Sequence, residues 1–127
     1  MSPELHISLS NLQSNIQFFQ RIIKKNTELS AVVKSDAYGL GIAKIVPAIE
    51  RYGVRSFFTA TISEAIKVRR YSRASEIFTL NGFDFLKSNL YREHNITPII
   101  NNILEAQKFI EIFNKPQKVA IQLNTGM

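Results

Sequence analysis

No cysteine occurs among the 127 residues, which excludes disulfides and thiolate metal sites and is compatible with a cytosolic setting. No apolar run reaches the roughly 18 residues that a membrane-spanning helix needs. The N-terminus, Met1-Ser2-Pro3-Glu4-Leu5-His6, has neither the basic nor the apolar region of a secretory signal. Only two histidines are present, His6 and His94, far apart and without an i, i+4 partner, so ligand spacing gives no metal site. Gly-x-Gly-x-x-Gly is missing after the first expected strand, which counts against a dinucleotide-binding Rossmann unit.

What is present fits one folded domain over residues 1–127. Hydrophobic residues make up 45% of the chain, as in an ordinary globular protein, so disorder is not expected. The net charge is +6. Lys67, Arg69, Arg70 and Arg73 cluster, and in a helix 67, 70 and 73 fall near one another. No nucleic-acid-binding motif accompanies them, so a solvated helix face is expected rather than a nucleic-acid footprint. Neither a nucleic acid nor a membrane is expected as a partner.

Periodicity gives an α/β order. Leu12, Ile16, Phe19 and Ile23 make one apolar stripe on a helix over 8–26, with Ser10 and Gln13 as a capping box. Strands are expected at Leu29–Lys34, Ser56–Ala60, Glu76–Leu80, Ile96–Ile100 and Lys118–Leu123. Helices are expected at Ile42–Tyr52, 63–70, Phe83–His94 and from Asn102 to Asn114, with Phe85, Leu86, Leu90, Ile103, Ala106, Ile110 and Phe113 facing inward and Tyr91 a further inward candidate. Pro47 must kink the second helix or lie in its first turn. The order is a helix followed by (βα)4β, with strand centres about 20–26 residues apart, as in successive βα units. Near-continuous apolar strands imply a parallel sheet covered by helices. Periodicity alone does not choose between a doubly wound sheet and a barrel.

The segment Ala31-Val32-Val33-Lys34-Ser35-Asp36-Ala37-Tyr38-Gly39-Leu40-Gly41 carries the chemistry. A buried strand ending in Lys34 puts an amine where strand meets loop, the rim at which α/β barrels work. A partly desolvated lysine amine can form a Schiff base with an aldehyde. Tyr38 adds a hydroxyl, and Gly39 and Gly41 let backbone approach a bound group.

This string resembles the cofactor-lysine motif of the alanine racemase family, Val-Val-Lys-Ala-Asn/Asp-Ala-Tyr-Gly-His/Leu-Gly, with Ser35 where Ala is usual. Thr61-Ile62-Ser63-Glu64-Ala65, Ile77–Phe83, Ile96–Asn101 and Asn124-Thr125-Gly126-Met127 are similar to later family segments in the same order. The resemblance implies about half of a pyridoxal-phosphate-binding (β/α)8 barrel. A complete barrel needs at least about 200 residues, and the family adds a separate β domain. It implies that Lys34 is the catalytic and aldimine lysine and that Tyr38 is a cofactor phosphate ligand. The implied cofactor is pyridoxal 5′-phosphate, and the implied activity is interconversion of L- and D-alanine for peptidoglycan. The resemblance further implies a cytoplasmic homodimer whose second base, a tyrosine, comes from the partner subunit's β domain. Gln122 stands where many members have a lysine, and Asn124 where Asp is usual. The segments carrying the remaining family groups lie past Met127, so the 127 residues alone are expected to be inactive or nearly so. An inactive remnant, or a carrier of the cofactor, is the alternative.

Overall fold

The computed structural model describes residues 3–126. Five strands, β1 (Ala31–Val32), β2 (Ser56–Thr59), β3 (Glu76–Thr79), β4 (Thr97–Ile100) and β5 (Ala120–Ile121), form one parallel sheet in the order β1-β2-β3-β4-β5. Strand order settles what periodicity left open. A doubly wound sheet reverses its order at a switch point, whereas each strand here is added beside its predecessor, as in half of a (β/α)8 barrel.

The helices are α1 (Leu9–Ile22), α3 (Ile42–Arg51), α4 (Ile62–Tyr71), α5 (Ser88–Glu93) and α6 (Ile103–Ile112), with a short left-handed segment, α2 (Lys34–Tyr38), after β1. Ser8, not Ser10, caps α1: its hydroxyl accepts the Asn11 N–H. Pro47 sits inside α3, which continues through it. Thr61 and Asn102 cap α4 and α6 through their side chains. In the middle of the sheet, Pro98 lacks a ladder N–H. β4 pairs with β3 through Thr97 and Pro98, and with β5 through Ile99 and Ile100.

The core lies between the helices and one face of the sheet. Val33, Phe57, Ile77, Ile96 and Ile100 meet Ile45, Val46, Ile49, Ile62, Ala65 and Val68. Each side chain buried in full contributes roughly 1.5–3 kcal/mol. Phe83, Tyr91, Phe109 and Phe113 form an aromatic cluster with centroids 4.7–5.8 Å apart. On the opposite face Phe58 stacks on Phe78 at 4.8 Å, beside Val32 in the same register row.

Three expectations change. Phe83–His94 is not one helix: a 3₁₀ turn (Phe85–Lys87) precedes α5, and Phe85 and Leu86 face solvent while Tyr91 is buried. Phe19, in the expected apolar stripe of α1, is half exposed. In α6, Phe109 is buried whereas Ile103 and Ile110 are exposed. The reason is that their face overhangs the free side of β5, where it lines a shallow apolar cavity of about 440 Å³ with Val119, Ile121 and Leu123.

Candidate functional site

All five strands are parallel, so their C-terminal ends share one edge, and Lys34 stands there just beyond β1, half-buried. The ladder reaches Val33, whose N–H donates to the Phe58 carbonyl at 2.8 Å. There the strand breaks: Val33 turns to φ −126°, ψ 25°. Ser35, Asp36, Ala37 and Tyr38 then all take positive φ, between 53° and 55°. They form a left-handed turn closed by Ala37 N–H to Val33 O (3.0 Å) and Gly39 N–H to Ser35 O (2.9 Å). Left-handed backbone costs about 1–2 kcal/mol per non-glycine residue, hence roughly 4–8 kcal/mol for four.

Two carboxylates hold this turn. Glu64 Oε1 accepts the Ser35 N–H at 2.9 Å, and its other oxygen accepts the Ala60 N–H at 2.8 Å. One side chain thus joins the exits of β1 and β2. Asp36 Oδ1 accepts the Ile42 N–H at 3.0 Å and caps α3 from within the turn. Hydrogen bonds to charged acceptors contribute about 1.5–3 kcal/mol each, so the two made by the turn's own residues, at Ser35 N–H and Asp36 Oδ1, offset a large part of a strain of this order.

Tyr38 is 62% exposed and borders a cleft of about 330 Å³ with Leu12, Ile16, Phe19 and Leu40. Gly39 and Gly41 follow at φ 82° and 92°, and a Cβ on either would meet nothing within 4 Å. The backbone is therefore open at both glycines, while the cleft that Tyr38 borders is lined by Val33 and Ala37 and not by Lys34. By residue type, an amine can bond the carbonyl carbon of a phosphorylated aldehyde, and a hydroxyl beside open backbone can receive a phosphate.

The remaining expected residues stand apart. Gln122 extends the ladder beyond β5, its N–H donating to the Ile100 carbonyl at 3.0 Å, and its side chain is exposed. Asn124 Oδ1 accepts the Gly126 N–H at 3.3 Å. His6 is exposed beside Glu4, and His94 Nε2 lies 4.0 Å from Glu93. Among the described residues no group of three or more His, Cys, Asp or Glu side chains could hold a metal ion. The basic cluster divides. Arg69 turns inward to the carbonyls of Ser72, Arg73, Ser75, His94 and Asn95 at the opposite edge of the sheet, and Arg73 lies beyond α4.

Sequence reasoning placed Glu64 in a helix-start motif but missed its reach to Ser35. The Thr-x-x-Glu signature signals a capping box; contact with a strand exit far away in sequence leaves no local mark.

The sequence profile described as "Alanine racemase, N-terminal domain" matches residues 7–127. The alanine racemase of Cereibacter sphaeroides is 33% identical over 124 residues, covering 97% of this chain and 35% of that protein. An amino-acid racemase of Enterococcus faecalis is 32% identical, over 95% of this chain and 17% of its own length. Among solved structures, E. faecalis alanine racemase superposes with TM-score 0.88 at 25% identity, over 96% of this chain and 34% of that one. Bartonella henselae alanine racemase, solved with covalently bound pyridoxal phosphate, gives 0.77 at 32% identity, over 84% and 30%. The chain spans about a third of the length of the alanine racemases it matches.

Proposed function

The chain belongs to the alanine racemase family through its N-terminal domain, and from that premise we propose that it forms the cofactor-lysine half of the barrel of a pyridoxal-phosphate-dependent alanine racemase. The proposed reaction of the whole protein is interconversion of L- and D-alanine, supplying D-alanine for peptidoglycan. The observation that supports this reading is the placement of Lys34 at the C-terminal edge of the sheet, at the head of a strained turn held by Glu64 and Asp36.

When bound, the cofactor supplies an electron sink for the charge left on the substrate Cα. In this reading Lys34 would hold it, and the Lys34 amine would take or return the Cα proton on one face of the substrate. The Tyr38 hydroxyl would donate to the cofactor phosphate. The opposite face is served by the partner subunit of a cytoplasmic homodimer. Among the described residues no helix is long and apolar enough to cross a membrane.

The second reading, a chain inactive by itself, is favoured by the exposed Ile103, Ile110, Ile121 and Leu123 beside β5. Both readings are tested on the 127-residue chain. Borohydride reduction in the presence of pyridoxal 5′-phosphate, followed by peptide mapping, is expected to find the label on Lys34 and to lose it in Lys34→Ala. Equal labelling of Lys24 or Lys115 would overturn the assignment. Incubation with L-alanine is expected to yield no useful D-alanine, because losing a positioned acid–base group costs about 10²–10⁴-fold. Robust turnover abolished by Lys34→Ala would refute the second reading.

A further inference from the structure

We propose that Glu64 is the positioning residue of Lys34, a role that rests on reading Lys34 as the cofactor lysine. Lys34 has no strand on its C-terminal side to fix it. The residue after it, Ser35, begins the left-handed turn at φ 53°, ψ 49°. What fixes the Ser35 amide is the Glu64 carboxylate, at 2.9 Å. Glu64 is itself fixed. Its N–H donates to Thr61 Oγ1 at 3.3 Å, its second oxygen accepts the Ala60 N–H, and it lies in the first turn of α4, where a negative charge is favoured. The direction in which Lys34 leaves the sheet is thus referred to β2 and α4 through one side chain.

The molecule contains its own control. Glu105 holds the same place in α6: Oε2 accepts the Asn101 N–H at 3.0 Å, at the exit of β4, and the Phe83 N–H at 3.3 Å, beyond the exit of β3. The segments Ala60-Thr61-Ile62-Ser63-Glu64-Ala65 and Asn101-Asn102-Ile103-Leu104-Glu105-Ala106 correspond position by position. Each carboxylate joins its own strand exit to that of the preceding strand, and only the Glu64 tie touches the cofactor-lysine turn.

The test uses the 127-residue chain as wild type, Glu64→Gln and Glu105→Gln. The two N–H donors at Glu64 sit on different oxygens, so a carboxamide, which has an oxygen on one side only, keeps the shape but serves one of them. Amide hydrogen exchange, read without cofactor, is expected to accelerate about tenfold at Ser35 or Ala60 in Glu64→Gln, whichever amide loses its acceptor, the size of one lost hydrogen bond. In Glu105→Gln, where one oxygen serves both Asn101 and Phe83 and can be kept, exchange at Ser35 and Ala60 is unchanged. Borohydride trapping with pyridoxal 5′-phosphate gives the second readout. The preference for Lys34 over Lys24 falls in Glu64→Gln and is unchanged in Glu105→Gln. Glu64→Asp, which keeps the charge but is a methylene too short to span both amides, shows the same signs and replaces Glu64→Gln should that variant not fold. Unchanged exchange at both Ser35 and Ala60 overturns the tie. Faster exchange with unchanged Lys34 preference, or an equal loss in Glu105→Gln, overturns the positioning role. A wild type without Lys34 preference overturns the underlying reading of Lys34, while its exchange data still judge the tie.

Discussion

The two edges of the sheet are built on opposite terms. At the N-terminal edge Arg69 gathers five carbonyls from the turns before β3 and β4, and the Glu50 carboxylate accepts the Ser72 and Ser75 hydroxyls. Burial moves the Arg69 guanidinium below its ordinary pKa, and Glu50 acts in the opposite sense. At the C-terminal edge four consecutive non-glycine residues are left-handed and three carboxylates, Glu64, Asp36 and Glu105, are spent on holding loops. One edge gathers its carbonyls on a single guanidinium. The other retains strain beside a lysine, as functional rims do. The contrast matches the division of barrels into a stability face and a chemical face.

The strongest way to break that contrast is Arg69→Ala. It strips hydrogen bonds from five carbonyls, and a loss of about 2–3 kcal/mol is expected, read as a lowered urea midpoint. Because Arg69 belongs to the far edge, Lys34 labelling should remain selective under native conditions. Lost selectivity without unfolding would blur the two edges into one.

Gly82→Ala probes strain on the chemical edge away from Lys34. Gly82 has φ 89°, and a Cβ there would come within 2.6 Å of a Glu105 carboxylate oxygen. The positive φ alone costs about 1 kcal/mol, and displacing Glu105 raises the expected loss to about 2 kcal/mol, with faster exchange at Asn101 and Phe83. Neutral behaviour would show that Glu105 moves aside freely.

Tyr91→Phe gives the smallest effect and adds a pH signature. The buried hydroxyl accepts the Asp84 N–H at 3.1 Å and donates to the Gly82 carbonyl at 3.4 Å, so its loss costs about 1 kcal/mol. Burial raises the Tyr91 pKa above its ordinary 10.0, against the lowering effect of the Asp84 hydrogen bond. The folded protein then holds the phenolic proton more tightly than the unfolded chain does. This contribution is fully present below pH 10 and is lost as pH rises through the folded value. Urea midpoints across the alkaline range should therefore fall more gently in Tyr91→Phe than in wild type.

Much of this arrangement was readable from the chain. Apolar strands such as Phe57-Phe58 and Ile77-Phe78, each followed by a capped helix, gave the element order, and the apolar run ending at Lys34 gave its edge. The handedness of Ser35–Tyr38 was not readable. None of the four is glycine, and only Gly39 and Gly41 hinted at unusual backbone. The turn is imposed by acceptors on Glu64 and Asp36, and Glu64 comes from a later βα unit. The inward reading of Ile103 and Ile110 failed for a related reason: helical periodicity identifies an apolar face without identifying what stands opposite it. The break before α5 was hidden because Phe85 and Leu86 carry the hydrophobicity of a core face while standing in a solvent-facing turn.

The Glu64 and Glu105 ties also have a mechanical meaning. β2 and β3 are woven together along Ser56–Thr59 and Glu76–Thr79, and the weave continues through Leu80 N–H to Thr59 O and Asn81 N–H to Ala60 O. β1 meets β2 only through Ala31 and Val32 before Val33 closes the ladder, and β3 meets β4 only through Phe78 and Thr79. The carboxylates are stitched across two of the three short seams, β1–β2 and β3–β4; the third, β4–β5, is as short and carries no such tie among the described residues. A load peeling β1 away from its neighbour must therefore cut a carboxylate stitch after the main-chain weave has run out, whereas β5 is held by its weave alone at that rim.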